Sequence, residues 1–373
     1  MASQALNRNS YLSKNVGDFP AEMMINGRRY VKVNDLRYGT NPHQPAAYYK
    51  EAGHRSVIGD MQVLKDGKSG LSQTNLEDIS YALNIVKFFD RPACAVMKHV
   101  NPSGAAVQFG GESLTDIYRK ARDCDARAAF GSVIAFNCEV DADTAREIMG
   151  TFCECVVAPS FADGVVDIFC DGETYKLNKH IRILKCGDPA LLPKYVGDGG
   201  EGSWTMKVLA DGTLVAAEPL LTSIRGVEQL VPATAENTRC GVQSSEFKAT
   251  AEQLDDLLFA WYVNISVRSN GVVIASHGQT LSVGTGEQDR VGAIEQAVAK
   301  FAAKYKGERT LEGAVMASDG FFPFADGVEV AAAAGIKAII APAGSLRDAD
   351  VIKRANELGV ALYYAPERIF SHH

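Results

Sequence analysis

The sequence predicts an α/β fold in which layered sheets are flanked by helices. Three observations predict it. Short apolar runs bounded by turn formers alternate with amphipathic stretches in the first half. The last third repeats that alternation almost without interruption, the pattern of βαβ units. At 373 residues, 46% hydrophobic and 22% charged, the chain has the composition of an ordinary globular protein and core enough for about two domains.

In order along the chain, "ACAVM" (93–97), "SVIAF" (132–136) and "CVVAP" (155–159) read as buried strands. Between them "LTDIYRKARDCD" and "DADTAREIMG" read as helices. The second opens on Asp and Thr, whose oxygens cap free amides, and closes at Gly150. "VGDGGEGS" (196–203) is a polar linker, giving an expected first domain over 1–200 and a second over 201–373. A less regular stretch follows, to residue 245. "TAEQLDDLLFAWYVNISVR" then begins with a capping box, Thr250 with Gln253, and carries Leu254, Leu257, Leu258 and Trp261 on one helical face. "GVVIA" (271–275) is a strand and "RVGAIEQAVAKFAAKY" a long helix. Next come strand "AVMA", helix "DGVEVAAAAG" ending at Gly335, strand "IKAIIA", helix "DADVIKRANELG" ending at Gly359 and strand "VALYY". Such steps predict parallel strands with right-handed crossovers. The two halves show no sequence repeat; kinship between them in structure stays open.

A net charge of −7 without long blocks of one sign argues against a nucleic-acid surface, while local arginines still suit small anions. "MASQALNRNSYLSK" has no signal-peptide core, and no apolar run approaches the ~20 residues of a membrane span, so a cytoplasmic location is expected. The eight cysteines read as reduced packing residues. There is no CxxC pair, and Cys153 with Cys155 forms only a CxC without a nearby histidine, so no zinc site is expected.

Ligands of open α/β sheets bind beyond the carboxyl ends of the strands. Lys98-His99 follows "ACAVM", with Pro-Ser-Gly expected as the turn. "SDGFFPFAD" (318–326) follows "AVMA", "PAGSLRD" (342–348) follows "IKAIIA", and "PERIFSHH" follows the last strand. Each has a plainer reading. Lys98 and His99 suit a surface lysine and a loop histidine, and one phenylalanine of "FF" suits the core. "PAGSLRD" suits a βα loop capped by Ser345 or Asp348, although its glycine and free amides also suit a phosphate or carboxylate. "LRYGTNPHQ" (36–44), with Arg37, Tyr38 and Asn41, reads by default as a solvated loop. "GTGEQDR" (284–290) lacks the third glycine of a nucleotide loop and reads as a turn before a helix. No Ser-His-Asp spacing, GxSxG, Walker loop or HExxH occurs, nor the HxE and PCxxC of a zinc deaminase. Acid–base chemistry without a metal is the better fit.

The strings "LRYGTNPHQPAAYY", "MKHVNPSGAA", "AAFGSVIAFN", "APSF", "DLLFAWYV", "RSNGVV", "ASDGFFPFADGV", "IIAPAGSLRDADVI" and "RIFSHH" occur in the order found in AICAR transformylase. The chain resembles this family, the formyltransferase part of a bifunctional purine-biosynthesis protein that also carries IMP cyclohydrolase. The resemblance implies two cytidine-deaminase-like α/β subdomains without zinc, in a homodimer whose sites are shared between subunits. It implies formyl transfer from 10-formyltetrahydrofolate to the 5-amino group of AICAR, an imidazole carboxamide ribonucleotide, without a catalytic metal. The stretch ahead of Leu36 is too short for a cyclohydrolase domain, so a separate IMP cyclohydrolase is expected to act downstream.

Carried over by position, the resemblance makes His99 the general base and Lys98 the stabiliser of the transition state. AICAR contacts fall on Arg37, Tyr38, Gly131, Glu154, Asn270, Arg290, Phe321 and Arg368, and folate contacts on Val291, Asp326, Ser345 and Leu346. The chemistry agrees. AICAR's amine is conjugated to an electron-poor ring and needs its proton removed as the bond forms; an imidazole of ordinary pKa, ~6.5, accepts a proton at neutral pH. An ammonium beside it disfavours the imidazolium and can face the tetrahedral oxyanion. Holding two substrates in line supplies much of the remaining acceleration.

Three departures stand out. "GTGEQDR" carries Glu287 and Asp289, carboxylates that could pair with Arg290 and change how it meets substrate, where relatives often read GAGQ-x-SR. Ile265 replaces a usual lysine. "FAD" replaces the usual FRD, so Ala325 removes a positive charge near the folate loops, and altered folate affinity or form preference is expected with the chemistry intact. Two other readings remain: a different formyl donor, and a non-catalytic AICAR-binding protein, against which the retained Lys98-His99 pair argues.

Overall fold

The computed structural model describes residues 8–200 and 203–372. Residues Glu201 and Gly202 of the expected linker, and His373 of "PERIFSHH", lie outside them. The chain forms two compact units. One holds the chain through Val100, Gly111–Arg122 and Ala126–Leu192; the other holds Asn101–Gly110, Asp123–Asp125 and the chain from Pro193.

In the first unit, β1 (Glu22–Ile25), β2 (Arg28–Asp35) and β3 (Ala47–Glu51) form an antiparallel meander. β4 (Gln62–Lys65) leads to α1 (Gln73–Val86), whose start is set by a reciprocal cap. Ser72 Oγ accepts the Asn75 amide at 3.2 Å, and Asn75 Oδ1 accepts the Ser72 amide at 3.1 Å. Ile79, Ala82, Leu83 and Val86 are fully buried along one side of α1, which packs on β5 (Ala93–Lys98) and β7 (Ser132–Phe136). β6 (Asn101–Val107), between those strands in sequence, groups with the second unit. α2 (Leu114–Asp123), α3 (Ala142–Met149), β8 (Cys153–Ala158), α4 (Val165–Cys170) and β9 (Arg182–Lys185) complete the first. Its sheet runs β5-β7-β8-β9-β4; β7, β8 and β9 are mutually parallel, and β5 and β4 are antiparallel to their neighbours. Asp141 caps α3 by accepting the Thr144 amide at 2.7 Å, as expected; Gly150 ends it at an ordinary φ of −72°.

The second unit contains two hairpins, β10 (Thr205–Val208) with β11 (Leu214–Ala217) and β13 (Thr234–Asn237) with β14 (Gly241–Ser244), in the stretch read as irregular. β12 (Val231–Pro232) lies between them in sequence. α5 (Ala251–Asn264) carries the expected Thr250–Gln253 capping box. There follow β15 (Val272–Ser276), β16 (Gln279–Gly284), α6 (Arg290–Tyr305), β17 (Val315–Ser318), α7 (Asp326–Ala333), β18 (Ala338–Pro342), α8 (Asp348–Glu357) and β19 (Ala361–Ala365). The sheet runs β12-β19-β18-β17-β15-β16-β6, with β17, β18 and β19 parallel as the βαβ steps predicted and the other pairs antiparallel. Ile274, Ile294, Met316, Ile339, Ile352 and Leu362 sit in its core.

Two expectations are corrected. Pro102, Ser103 and Gly104 are not a turn but part of β6, and the reversal of backbone conformation falls at His99 and Val100. "LRYG" is not solvated. Leu36, Arg37, Tyr38 and Gly39 are buried because their backbone is tied to the start of α1: the Arg37 amide donates to Leu71 O at 2.7 Å and the Gln73 amide to Tyr38 O at 3.0 Å.

Candidate active site

In the first unit, β5 carries Lys98 to the end of a buried strand, and His99 (φ 54°) and Val100 (φ 60°) then both lie in the left-handed region. Consecutive residues of this kind make a type I′ turn, normally built from Gly and Asn. Val100 is the only β-branched residue with positive φ among the described residues, and the branch makes that conformation costly. Asp78 on α1 holds the turn. Its Oδ1 accepts the Val100 amide at 2.6 Å, and its carboxylate also accepts the His99 amide. Burial pushes the Asp78 pKa up to about 6 against the pull of those two amides, with Glu154 and Glu77 adding to the rise. Sequence reasoning missed Asp78. Its signal was a carboxylate at 78 on the buried side of α1, in register with Asn75, Ala82 and Ile85.

The Lys98 ammonium donates to Phe130 O, next to Gly131. Gly131 has φ 78°, and a Cβ there would lie 3.2 Å from Phe152 Cε1, so glycine is required. Arg37 is 6% exposed, its guanidinium lies 4.7 Å from the Tyr38 ring centre, and its Nε has no protein partner. Burial, and next the charge of Arg182, lower the Arg37 pKa. Glu154 on β8 accepts from Asn75 Nδ2 at 2.8 Å and lies 3.9 Å from Arg182. Arg182, which nothing in the sequence singled out, is buried with its Nε donating to Gly70 O at 2.7 Å. Arg37, Tyr38 and Glu154 are thus electrostatic neighbours, and Glu154 also faces Asp78.

In the second unit, Arg290 opens α6 and is 6% exposed. It pairs with Asp319, which is fully buried and accepts the Gly271 amide at 2.8 Å; Arg290 Nε, like that of Arg37, has no protein partner. The Phe370 ring lies 5.7 Å from the Arg290 guanidinium and 4.4 Å from that of Arg368. The segment bearing Phe370 is stitched in place by the Ile369 amide on Asp319 O (3.2 Å) and the Ser269 amide on Ser371 O (3.0 Å). Asn270 donates through its backbone and side chain to Glu287 O, at 3.1 and 2.9 Å. Phe321 is part-exposed beside Gly344, whose added Cβ would sit 3.6 Å from the ring. Asp348 accepts the amides of Gly344 and Ser345, at 2.8 and 3.2 Å, and Ser345 Oγ accepts that of Arg347 at 3.1 Å, so both side chains bind amides of the "PAGSLRD" loop. Val291 is half-buried on α6, Asp326 is exposed at the start of α7, and Leu346 is 95% exposed. The structure joins Arg290 and Arg368 through Phe370, and Phe321 to the Ser345 loop; Val291 and Asp326 stand on separate helices. Among the described residues no group of three His, Cys, Asp or Glu is arranged to hold a metal. The cysteines are free thiols, and burial holds that of Cys155 up at about 12.

A family model described as AICARFT/IMPCHase bienzyme matches residues 3–300. The chain belongs to the AICARFT/IMPCHase family. Bifunctional purine biosynthesis protein PurH of Acetivibrio thermocellus is 40% identical over 97% of this chain and 63% of its own length. That of Nostoc punctiforme is 38% identical over 91% of this chain and 59% of its own, and that of Oceanobacillus iheyensis 36% over 99% and 64%. The chain therefore spans less than two thirds of these relatives. A dCMP deaminase from cyanophage S-TIM5 aligns with 25% of this chain and 76% of its own, at 21% identity and a TM-score of 0.19, too low to bear on the fold.

The residues noted above as departures have these surroundings. Glu287 accepts from Gln296 Nε2 at 2.6 Å, and Asp289 caps α6 by accepting the Gly292 amide at 2.7 Å. The counter-ion of Arg290 is Asp319, not Glu287 or Asp289. Ile265 is buried at the C-terminus of α5. Ala325 precedes α7 without capping it, and Arg347 lies over the adjacent Phe324 ring at 4.7 Å.

Proposed function

We propose that the chain is an AICAR formyltransferase of purine biosynthesis, with His99 as general base and Lys98 as oxyanion stabiliser. The observation that carries the reading is Lys98-His99 presented at a strand end by a costly turn with a dedicated carboxylate. Two buried arginines, Arg37 in one unit and Arg290 in the other, each keep an unpartnered Nε, which suits an anionic nucleotide.

In this mechanism the imidazole of His99 takes a proton from the AICAR amine as its nitrogen attacks the formyl carbon of 10-formyltetrahydrofolate. The Lys98 ammonium faces the oxyanion that forms. The intermediate collapses as the C–N10 bond breaks, and the imidazolium returns the proton to N10. Formyl-AICAR and tetrahydrofolate leave, and an IMP cyclohydrolase closes the product's ring. Arg37, Tyr38, Gly131, Glu154, Asn270, Arg290, Phe321 and Arg368 serve AICAR, and Val291, Asp326, Ser345 and Leu346 serve the folate. No metal enters. A homodimer with shared sites fits the apolar β10–β11 hairpin, which exposes Met206, Val208, Leu214 and Val215. Eight free thiols suit a cytoplasmic location. No helix among the described residues is long and apolar enough to cross a membrane.

The test is a spectrophotometric assay of tetrahydrofolate release from AICAR and 10-formyltetrahydrofolate, with His99→Ala alongside. Turnover by the parent and its collapse in the variant support the reading. Tight AICAR binding without turnover would replace it with a different formyl donor or a binding protein.

A further inference from the structure

The two units contain the same device. In the second, Asp256 on α5 accepts the amides of His277 (Oδ2, 2.8 Å) and Gly278 (Oδ1, 2.8 Å), and these residues also form a left-handed pair, φ 53° and 67°. Both helices start at a reciprocal capping box, at Ser72 and at Thr250. Asp78 and Asp256 each lie six residues after that cap, and His99 and His277 each lie 27 after it. Both carboxylates are 5% exposed. The register is too exact for two unrelated loops, and it supplies an internal comparison.

The comparison isolates what differs. Where the second turn has Gly278, the first has Val100, whose branched side chain resists the same backbone conformation. Where the second has Ser276, the first has Lys98. The His277 ring is engaged at both nitrogens, with Ser276 Oγ 2.7 Å from Nδ1 and Glu252 Oε1 3.0 Å from Nε2. The second turn therefore shapes the chain, while the first also presents the Lys98-His99 pair. A turn whose own residues disfavour it depends more on its outside anchor.

The geometry points to Asp78 as a positioning residue that, by binding the His99 and Val100 amides, fixes the backbone from which His99 and Lys98 act. This rests on the catalytic reading of His99 given above. Asp78 touches no substrate in this scheme; it works through the turn. Glu77 on its own helix and Glu154 on β8 are acidic groups that face it.

The experiment compares Asp78→Asn, Asp256→Asn and Asp78→Asn/Val100→Gly with the parent. Readouts are kcat and KM for AICAR and 10-formyltetrahydrofolate, and hydrogen exchange of peptides spanning each turn. Asp78→Asn is expected to lower kcat about a hundredfold with KM changed less than about threefold, and to speed exchange at residues 98–101 by about tenfold. Asp256→Asn should speed exchange at its own turn and leave kcat within about twofold. Adding Val100→Gly, which needs no anchor at φ 60°, should restore most of the lost kcat. Equal kcat in Asp78→Asn and the parent, equal loss in Asp256→Asn, or failure of the glycine rescue overturns the positioning role. If the parent itself does not turn over, the catalytic reading fails instead. Exchange then decides the anchor alone, and unchanged protection at residues 98–101 overturns it.

Discussion

Asp78→Asn should make the protein more stable at neutral pH while it slows turnover. In the folded chain the Asp78 pKa stands at about 6, raised from 3.8 chiefly by burial. A carboxyl whose folded pKa is raised contributes stability that is fully present below its unfolded pKa and is lost as pH rises through the folded value. A rise of that size makes the ionised carboxylate cost about 3 kcal/mol at pH 7.5, and about half of that at pH 5. Asparagine never ionises, and its single carbonyl oxygen stands where the carboxylate holds two amides, so the turn loosens locally while the cost of the buried charge is removed. The variant should therefore gain up to ~3 kcal/mol at pH 7.5, about half as much at pH 5 and almost nothing near pH 3. The figure is an upper bound, because the amide brings N–H donors that need partners. At about 2–4 °C per kcal/mol, the melting temperature rises by up to ~10 °C at pH 7.5. Thermal melts of parent and variant at the three pH values read this directly. A variant less stable than the parent at pH 7.5, or a difference that does not change with pH, would refute the reasoning.

Further outcomes follow from the same geometry. His99→Ala should lower kcat by about 10²–10⁴-fold, with AICAR affinity retained by calorimetry; a matching loss of binding would point to a structural histidine. Asp319→Ala leaves Arg290 buried without its counter-ion and should cost about 3–5 kcal/mol in urea unfolding, whereas a cost under about 1 kcal/mol would mean that the pair is not buried in solution. Gly131→Ala meets both the positive φ and the Phe152 ring, so it should lower stability by more than about 1 kcal/mol and reduce kcat through Lys98; wild-type kinetics would contradict the contact. Arg37→Met, which removes a buried charge with an unpartnered Nε, should weaken AICAR binding more than tenfold or so while leaving the apparent melting temperature nearly unchanged.

The elements legible from the sequence are those whose pattern agrees with their surroundings. α6 begins at Arg290 and ends at Tyr305, as the sequence pattern predicted, and the Thr250–Gln253 box starts α5. The parallel run of β17, β18 and β19 follows from the strand–helix alternation. β6 was obscured because Pro102 and Gly104 are turn formers by local preference. The real turn contains neither, since a carboxylate from α1 supplies what glycine would otherwise provide. Arg37 and Tyr38 looked exposed because their burial depends on backbone bonds to Leu71 and Gln73, a contact that local sequence does not encode. The resemblance picked out Arg290 and Glu154 but not the residues that hold them. Asp319 lay within a quoted motif, and Asp78 betrayed itself only as a charge on an apolar stripe. Arg182 left no pattern at all, because its partners Gly70 O and Lys68 O are backbone atoms over a hundred residues away in sequence.

The stitched segment at Ile369–Ser371 lies against the arginines proposed to bind the nucleotide. Its Ile369 amide is held by the backbone oxygen of Asp319, the residue whose carboxylate grips Arg290, and its Phe370 ring rests near two guanidinium groups. Displacing this segment would expose Arg290, and under the proposed function an anion held by Arg290 and Arg368 would resist that displacement. Under that proposal, hydrogen exchange at Ile369–Ser371 gauges occupancy of the site without any catalytic turnover.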